Sequence, residues 1–427
     1  MSKTYRSIRG MHDILPAATS DWQRLELLSQ RLLESYGFQE IRTPMLERSE
    51  VFTRAIGQAT DVVEKEMYSF SDRNGDNLSL RPEGTAGVVR AALQNGLLYG
   101  PVERLWYRGP MFRHERPQQG RTRQFHQIGA EVFGAAGPDV DAELLALGER
   151  LWRALGLSGI RLELNSLGNS EERAAYRQAL VHYMHQHQSA LDDDTARRLE
   201  RNPLRVLDSK LPAIQELLQE APVLSDYLGS ESRDHFDRLR ERLDRLGITY
   251  QVNPRLVRGL DYYCHTVFEW ITTELGAQGT ICAGGRYDGL IELQGGKPWP
   301  ATGFAMGMER LVALMTQGQE SGPKAVHAYL VLAGEAAQLE GAVIAERIRD
   351  AAPGLRLQTN ASGGSFKAQF KRADRSGAAL ALILGEDELA AGTLAIKFLR
   401  QERAQETVAL DQLSTWIRDW FQDTKQH

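Results

Sequence analysis

The chain has 427 residues, 42% of them hydrophobic and 25% charged, which is typical of a globular protein with two or three domains. The formal net charge of −5 argues against a protein that coats nucleic acid through general positive charge. Two cysteines, Cys264 and Cys282, exclude a disulfide scaffold and a metal site made of thiolates alone. Because no apolar run has signal-peptide or membrane-spanning length, we expect a cytoplasmic protein without membrane contact.

The N-terminal region predicts a helix followed by a short strand. Apolar residues recur at helical spacing over 20–36, and Ser20 and Gln23 have the spacing of a capping box. The strand covers 38–41 and ends before Pro44, because proline lacks the N–H that regular pairing requires. This pair of elements fits either a core helix beside an edge strand or a dimer interface.

A second region combines a hairpin with a carboxylate at the start of a helix. Asn74 and Gly75 predict a tight turn, and the returning strand covers 78–81. Glu83 then precedes a helix that runs to about residue 93. A carboxylate at this position interacts favourably with the helix dipole. Binding of a ligand's ammonium group is the functional alternative, which the position alone does not favour.

The central feature of the sequence is a hairpin over 104–134. Its loop and the adjoining strand ends carry four arginines, and planar guanidinium groups suit phosphate oxygens. These are Arg113, Arg116, Arg121 and Arg123. On the return strand, Gln127 and Glu131 lie on the apolar face, where polar groups need partners. The pattern indicates a pocket floor, with a solvated basic hairpin and one buried ion pair as the alternative.

The region after the hairpin is interrupted by a long helical stretch. Residues from about 170 to 246 are highly charged and lack a strand pattern, which indicates an insertion. Arg258 beside Gly259 then places a cation where the backbone can approach a ligand closely. If Tyr262 and Tyr263 belong to a strand, they point to opposite faces and one of them can enter a pocket.

Two further segments precede a linker. A strand followed by a glycine-rich turn is predicted over 279–289. Near residue 308 a helix begins, and Arg310 lies in its first turn. An arginine there is electrostatically unfavourable, so we expect an anion beside it. Residues 317–324 are rich in glycine, serine and glutamine and predict a flexible connection.

The C-terminal region alternates strands and helices. Strands are predicted over 327–332, 355–359, 379–384, 394–399 and 404–408, and helices near 336–351, 365–376 and 411–421. Lys367, Lys371 and Arg375 share one helix face, which is most simply a solvated surface.

Several segments resemble the class II aminoacyl-tRNA synthetases and, in detail, the histidyl-tRNA synthetase family. The hairpin segment from Phe112 to Pro117, with Arg121 and the strand after it, is similar to motif 2. Residues 303–312 resemble motif 3, and 20–41 resembles motif 1. The stretches 255–263 and 279–289 resemble two signatures peculiar to this family.

The resemblance implies an α+β fold, with six or seven antiparallel strands flanked by helices and a helical insertion at about 170–246. It implies a catalytic domain over 1–322 and an α/β anticodon-binding domain over 323–427. The activity implied is ATP-dependent ligation of L-histidine to tRNA(His) through a histidyl-adenylate, with Mg²⁺ accompanying ATP. The implied quaternary structure is a homodimer.

The resemblance also implies roles for individual residues. It assigns Arg258 and Arg113 to catalysis at the α-phosphate and the substrate carboxylate. It assigns histidine binding to Glu83, Thr85, Arg113, Gln127, Glu131, Arg258, Tyr262, Tyr263 and Tyr287. It assigns ATP binding to Arg113, Arg121 and Arg310, and contact with the tRNA acceptor end to Arg116 and Gln118. Either Tyr262 or Tyr263 would contact the imidazole, and no side chain is assigned to a metal.

A non-catalytic relative is the main alternative. The regulatory subunit of ATP phosphoribosyltransferase resembles the catalytic domain but lacks the C-terminal domain and has eroded motifs. Here Arg113, Arg258 and Arg310 are all present, and about a hundred residues follow motif 3. Another class II synthetase is less consistent with the 255–263 segment. The sequence therefore favours the enzyme.

Overall fold

The computed structural model describes residues 4–57, 60–118, 120–209, 211–276, 279–317, 322, 324–361 and 363–426. It contains two compact units, Met1–Ser321 and Gly322–His427. Most of the linker predicted over 317–324 lies outside the described residues. No helix in the described ranges is long and apolar enough to cross a membrane.

The first unit is built on an eight-stranded sheet and a separate three-stranded sheet. Its strands are β1 Gln39–Glu40, β2 Leu46–Arg48, β3 Ser69–Ser71, β4 Asn77–Leu80, β5 Glu103–Phe112, β6 Gln124–Phe133, β7 Ile160–Ser166, β8 Tyr250–Val252, β9 Cys264–Thr272, β10 Thr280–Arg286 and β11 Ala301–Gly307. The large sheet has the order β1-β5-β6-β11-β10-β9-β7-β8, and the small one β2-β4-β3. The six central strands are antiparallel, and the short edge strands β1 and β8 pair in parallel.

Helices cover both faces of the large sheet. They are α1 Pro16–Ser35, α2 Ser49–Ile56, α3 Thr85–Gln94, α4 Pro138–Leu155, α5 Ser170–Gln186, α6 Asp193–Arg201, α7 Pro212–Leu217, α8 Ser230–Leu246, α9 Leu290–Leu293 and α10 Met308–Thr316. A π-helix spans Val62–Glu66, and 3-10 helices span Gln188–Ala190, Pro203–Asp208 and Leu224–Tyr227.

The alternation of side chains along β5 and β6 builds two hydrophobic cores. Trp106 and Ile128 point to one face, where α1, α4, α8 and α10 pack. Tyr107 and Phe133 point to the other face, together with α2 and α3. As predicted from period 2, Gln127 and Glu131 share the face of Phe133. The second face therefore combines an apolar core with polar side chains.

The structure corrects three local predictions. Helix α1 begins at Pro16 rather than at Ser20, with proline in its first turn, where its missing N–H costs nothing. The expected glycine-rich turn is part of β10. Gly284 is required there because a Cβ would lie 2.2 Å from the Gly303 carbonyl oxygen of β11. Tyr262 and Tyr263 precede β9 instead of alternating within a strand.

The second unit is a five-stranded sheet with helices on both faces. Its elements are β12 Ala328–Leu332, α11 Glu335–Ala351, β13 Leu357–Thr359, α12 Phe366–Arg375, β14 Leu380–Leu384, α13 Glu386–Ala390, β15 Thr393–Phe398, β16 Glu406–Ala409 and α14 Leu413–Gln426. The strand order is β13-β12-β14-β15-β16, parallel across β13, β12 and β14. All five predicted strands are present, and the short helix α13 was not predicted.

Candidate active site

A cavity of about 530 Å³ lies in the first unit, within the size range of small-molecule sites. Its wall brings together nine predicted site residues that come from four separate stretches of the chain. They are Glu83, Thr85, Arg113, Arg121, Gln127, Arg258, Tyr262, Tyr263 and Arg310. Both tyrosines line the cavity, and their ring centroids lie 4.6 Å apart. Because this segment is not a strand, the condition for the two side chains to point to opposite faces is not met, and both reach the cavity.

Glu131 is completely buried and accepts two hydrogen bonds. Thr85 donates its hydroxyl at 2.7 Å, and Tyr287 donates its hydroxyl at 2.5 Å. Gly303 on β11 makes room, because a Cβ there would lie 1.8 Å from Glu131 Oε2. Burial raises the pKa of Glu131 to about 8, although both hydrogen bonds act to lower it. With this pKa the Glu131 carboxyl group keeps its proton at neutral pH. A cationic donor beside it would favour the ionised form instead.

Glu83 both caps a helix and lines the cavity. Its carboxylate accepts hydrogen bonds from the backbone N–H groups of Thr85 at 2.7 Å and Ala86 at 2.9 Å, at the start of α3. Burial raises the pKa of Glu83, while these hydrogen bonds and the charge of Arg113 lower it. These contacts agree with the helix-dipole interpretation, and Glu83 also lies on the cavity wall.

Arg258 and Arg113 are fixed by contacts on the cavity wall. Arg258 pairs with Glu269 and lies over the ring of Tyr263, with its guanidinium carbon 5.5 Å from the centroid. Although burial acts to lower it, Glu269 raises the pKa of Arg258. The Nε atom of Arg258 is buried without a hydrogen-bond partner in the described ranges. Arg113 donates from Nε to the Pro82 carbonyl oxygen at 2.8 Å.

Arg310 and Arg121 form a second cationic part of the wall. Arg310 donates to the carbonyl oxygens of Gly120, at 3.2 Å, and Thr280. Burial and the charge of Arg121 lower the pKa of Arg310. Arg121 pairs with Glu115 at 3.2 Å and is exposed. Two neighbouring guanidinium groups, one of them desolvated, make this part of the wall suitable for an anion.

The two residues assigned to the tRNA acceptor end lie apart from the cavity wall. Arg116 and Gln118 are exposed in the loop between β5 and β6. The backbones of Gln118 and Arg121 exchange hydrogen bonds at 3.1 and 2.9 Å, which closes the loop tip around a tight turn. Both side chains are therefore accessible to a large ligand approaching from solvent.

Sequence reasoning missed Tyr107 and Glu269. The Tyr107 hydroxyl is buried without a hydrogen-bond partner among the described residues, on the same side of the sheet as Glu131. Its ring occupies the space where a Cβ of Gly129 would lie, 2.2 Å away. Gly129 within a predicted strand was the signal for such a close approach. Glu269 had no comparable signal, because its pairing with Arg258 depends on tertiary structure.

A buried ion-pair network lies next to the site. Asp141 accepts hydrogen bonds at 2.9 Å from Arg286, His235 and Thr266. Although burial acts to raise it, Arg286 and His235 hold the pKa of Asp141 at about 2. Since Arg286 precedes Tyr287, the network fixes the strand end from which Tyr287 reaches Glu131.

Comparisons with known proteins agree with this geometry. The family model for histidyl-tRNA synthetase matches residues 10–311, and the model for an anticodon-binding domain matches residues 327–420. Histidine–tRNA ligases of Halorhodospira halophila and Alkalilimnicola ehrlichii are 59% and 58% identical to the chain, over 98% of both chains in each case. The crystal structure of apo S. aureus histidyl-tRNA synthetase has a TM-score of 0.81 at 32% identity and covers 97% of this chain and 100% of that chain.

The antiparallel sheet, the arginine-bearing hairpin between β5 and β6 and the arginine at the start of α10 define a class II aminoacyl-tRNA synthetase. The chain belongs to the histidyl-tRNA synthetase family and is a histidine–tRNA ligase. The predicted fold class and activity are confirmed. The regulatory-subunit alternative is wrong, because the curated ligases match the chain over almost its whole length.

Proposed function

We propose that histidine and ATP react in the arginine-lined cavity and that the histidyl group then passes to the 3′-terminal ribose of tRNA(His). In the first step the histidine carboxylate attacks the α-phosphorus of ATP and expels pyrophosphate. No general base is needed, because the nucleophile is already ionised. Catalysis therefore depends on positioning and on charge stabilisation. The convergence of nine assigned residues on one cavity carries this proposal.

Arg258 and Arg113 are proposed to hold the histidine carboxylate and the α-phosphate. Arg258 suits this role because Glu269 and Tyr263 fix its guanidinium group while Nε keeps an unused donor. A fixed donor costs little reorganisation as charge develops in the transition state. Arg113, whose Nε donates to the Pro82 carbonyl oxygen, would contact these groups from the hairpin formed by β5 and β6.

The part of the cavity lined by Glu83, Tyr262 and Tyr263 is proposed to hold histidine. Glu83 and Thr85 would bind the α-ammonium group, which a desolvated carboxylate attracts strongly. Glu131 would accept a hydrogen bond from the imidazole. Gln127, Tyr262, Tyr263 and Tyr287 would complete the side-chain pocket.

Arg121 and Arg310 are proposed to bind the outer phosphates of ATP. We propose that Mg²⁺ binds to these phosphates and does not occupy a preformed site made of protein side chains. Three lining carboxylates, Glu115, Glu269 and Glu309, already accept from Arg121, Arg258 and His126, respectively. Mg²⁺ commonly takes phosphate oxygens and waters with only one or two carboxylates. Arg116 and Gln118 would meet the tRNA acceptor end.

The chain is proposed to act in the cytoplasm as a homodimer. Exposed apolar side chains near the N-terminus support a dimer interface: Tyr5, Ile8 and Leu15 are 97%, 64% and 64% exposed. Sedimentation of the full chain tests the dimer. A monomer at micromolar concentration would contradict it.

The second unit is proposed to recognise the anticodon. On α12, Lys367, Lys371 and Arg375 are exposed along one face, and the half-exposed ring of Phe366 lies 4.7 Å from that of Phe370. Removing residues from Pro323 onward should leave pyrophosphate exchange largely intact and cripple tRNA charging. If the truncated chain charged tRNA as fast as the full chain, the assignment of the second unit to anticodon recognition would be wrong.

Amino-acid-dependent exchange of pyrophosphate with ATP tests the proposed reaction. The full chain is assayed with each of the twenty amino acids. Exchange with histidine alone is expected. Exchange with another amino acid would contradict the assignment of the pocket.

A further inference from the structure

A cluster of metal-binding side chains lies behind the cavity wall, outside the residues assigned to either substrate. Cys264 and His265 begin β9, directly after Tyr262 and Tyr263, and Asp288 follows the end of β10. One ligand atom from each of the three side chains lies within 4.8 Å of the other two. All three residues are half-buried. A thiol, an imidazole and a carboxylate are the ligand types of Zn²⁺ and related ions.

The backbone of His265 supports a role for its side chain. His265 has φ of 44°, in the left-handed region that few residues other than glycine adopt, although histidine is enriched there together with asparagine and aspartate. Such a conformation is unfavourable and persists only where the surroundings hold it. His265 N–H donates to the Gly168 carbonyl oxygen at 2.8 Å, and Leu167 N–H donates to the His265 carbonyl oxygen at 2.7 Å. The fold thus fixes this histidine in an unfavourable conformation beside Cys264.

Hydrogen bonds define which ring nitrogen of His265 is available. Ser232 donates its only hydroxyl proton to Glu172 at 2.7 Å. Its oxygen lies 3.4 Å from His265 Nδ1, so it acts as an acceptor and Nδ1 carries the proton. Nε2 therefore keeps the lone pair that coordination requires. A metal-binding histidine commonly donates its other N–H in this way.

The charges around the cluster favour a cation once the thiol is ionised. Asp288 Oδ1 accepts from the Ala301 N–H at 2.8 Å and from Arg286 at 3.3 Å, which leaves Oδ2 for a ligand. Arg286 and Arg173 are nearby opposing charges. Asp141 offsets Arg286 at 2.9 Å.

We propose that Cys264, His265 and Asp288 bind one Zn²⁺-type ion, with water completing the coordination. The ion would join the segment that carries Tyr262 and Tyr263 to the strand end that carries Tyr287. It would therefore brace one wall of the histidine pocket without touching the substrates. Three protein ligands with a fourth open position is a common arrangement for zinc.

Cobalt provides the test, because Co²⁺ replaces Zn²⁺ and a Co²⁺–thiolate bond absorbs in the near ultraviolet. The untagged full chain is dialysed against Co²⁺ without ATP. We expect about one Co²⁺ per chain, a thiolate absorption band and a raised Tm. Cys264→Ser should abolish the band. Cys282→Ser is the matched control, since Cys282 is the other free cysteine and lies outside the cluster, so it should keep the band.

Two further variants test the geometry. His265→Asn should lose most of the affinity for Co²⁺ while keeping the fold, because asparagine tolerates the left-handed conformation. Ser232→Ala should weaken Co²⁺ binding about 10- to 100-fold, as expected when the partner of a metal-binding histidine is removed. A wild-type chain without the thiolate band would overturn the proposal. So would a band that survives Cys264→Ser or disappears in Cys282→Ser.

Discussion

Two sets of residues at the cavity use charge in opposite ways. In the set that we propose for histidine, called the histidine end, Glu131 accepts from Thr85 and Tyr287, and Glu83 accepts from backbone amides. In the set that we propose for the reacting carboxylate and the phosphates, called the phosphate end, Arg258 keeps a buried donor without a partner among the described residues, and Arg310 is desolvated beside another arginine. The histidine end is therefore preorganised before any ligand arrives. The phosphate end has an excess of cations that only an anion relieves.

The largest effect should come from removing a cation at the phosphate end. Arg258→Ala should slow adenylate formation about a hundred- to thousandfold, because losing one preorganised donor costs about 2.7–4 kcal/mol of transition-state stabilisation. Histidine binding should weaken much less than the rate, since only the proposed carboxylate contact is lost and the groups proposed for the α-ammonium and the imidazole, Glu83 and Glu131, are unchanged. Single-turnover adenylation and equilibrium binding of histidine measure the two quantities separately.

Arg255→Ala is the control for this variant. Arg255 precedes the same loop but is absent from the cavity wall, so adenylation should be nearly unchanged. A loss under about threefold in Arg258→Ala would remove Arg258 from catalysis, given the effect expected for such a donor. A loss of histidine binding without a loss of rate would show that Arg258 serves substrate binding rather than catalysis.

The histidine end should respond to the loss of its buried carboxylate. Glu131→Gln keeps the shape of the side chain but removes the carboxylate charge that a cationic donor from histidine would stabilise. A hydrogen bond to a charged group contributes about 1.5–3 kcal/mol, so kcat/KM for histidine should fall about 10- to 150-fold. The KM for ATP should stay nearly constant. Both constants are measured in pyrophosphate exchange.

The pattern of loss in Glu131→Gln decides what the carboxylate does. Equal losses for histidine and ATP would mean that Glu131 supports the fold rather than reading the imidazole. A matched control is Glu292→Gln, an exposed carboxylate on α9, which should change neither constant. An unchanged KM for histidine would show that the protonated form of Glu131 is the one that binds.

Sequence patterns predicted the parts of this site that follow from local chemistry. Period 2 along β6 placed Gln127 and Glu131 on one face of the sheet, which the structure confirms. Motif resemblance identified the arginines, and nine of the assigned residues line one cavity. Helix α3 begins where Glu83 indicated, because the carboxylate caps its first amides.

Tertiary contacts explain what the sequence did not predict. The glycines at 284–285 led to the prediction of a turn. Position 284 instead requires glycine because β11 lies too close for a Cβ. The capping-box spacing of Ser20 occurs inside α1, where the helix has already begun at Pro16. The pairing of Glu269 with Arg258 and the burial of Tyr107 depend on strands that are distant in sequence.

The buried carboxyl group of Glu131 should also make the free energy of unfolding depend on pH. Its pKa rises from 4.5 to about 8 on folding, so the folded chain keeps a proton that the unfolded chain has lost. Its contribution to stability is complete below about pH 4.5 and is lost as the pH rises through 8. Relative to Glu131→Gln, the wild type should lose about 1.4 kcal/mol of unfolding free energy per pH unit within this window.

Urea unfolding of both chains at about pH 5.5 and 7.5 measures this difference. Glu292→Gln again serves as the control, because an exposed carboxylate is solvated in both states. A difference that stays constant with pH would mean that Glu131 ionises as freely in the folded chain as in the unfolded one. Water would then reach the Glu131 carboxyl group more readily than its burial indicates.

The smallest effect concerns a buried acceptor at the histidine end without a hydrogen-bond partner among the described residues. The carbonyl oxygen of Gln127 is buried without a partner in the described ranges, on the cavity wall. An acceptor held there should receive a donor from histidine, so Gln127→Met should raise the KM for histidine about tenfold, equivalent to about 1–1.5 kcal/mol. Stability should stay constant or rise, because the substitution removes a buried polar atom without a partner.

Gln294→Met separates this effect from a general loss of packing. The carbonyl oxygen of Gln294 is also buried without a partner, but Gln294 lies outside the cavity wall. Its side-chain amide donates to the carbonyl oxygen of Ala86 at 3.1 Å, so Gln294→Met should lower stability and leave the KM for histidine unchanged. Opposite signs of the two stability changes, with a change in KM for Gln127→Met alone, would place the unsatisfied acceptor in the histidine site. A raised KM in both variants would instead mean that helix α3, and not the acceptor, controls binding.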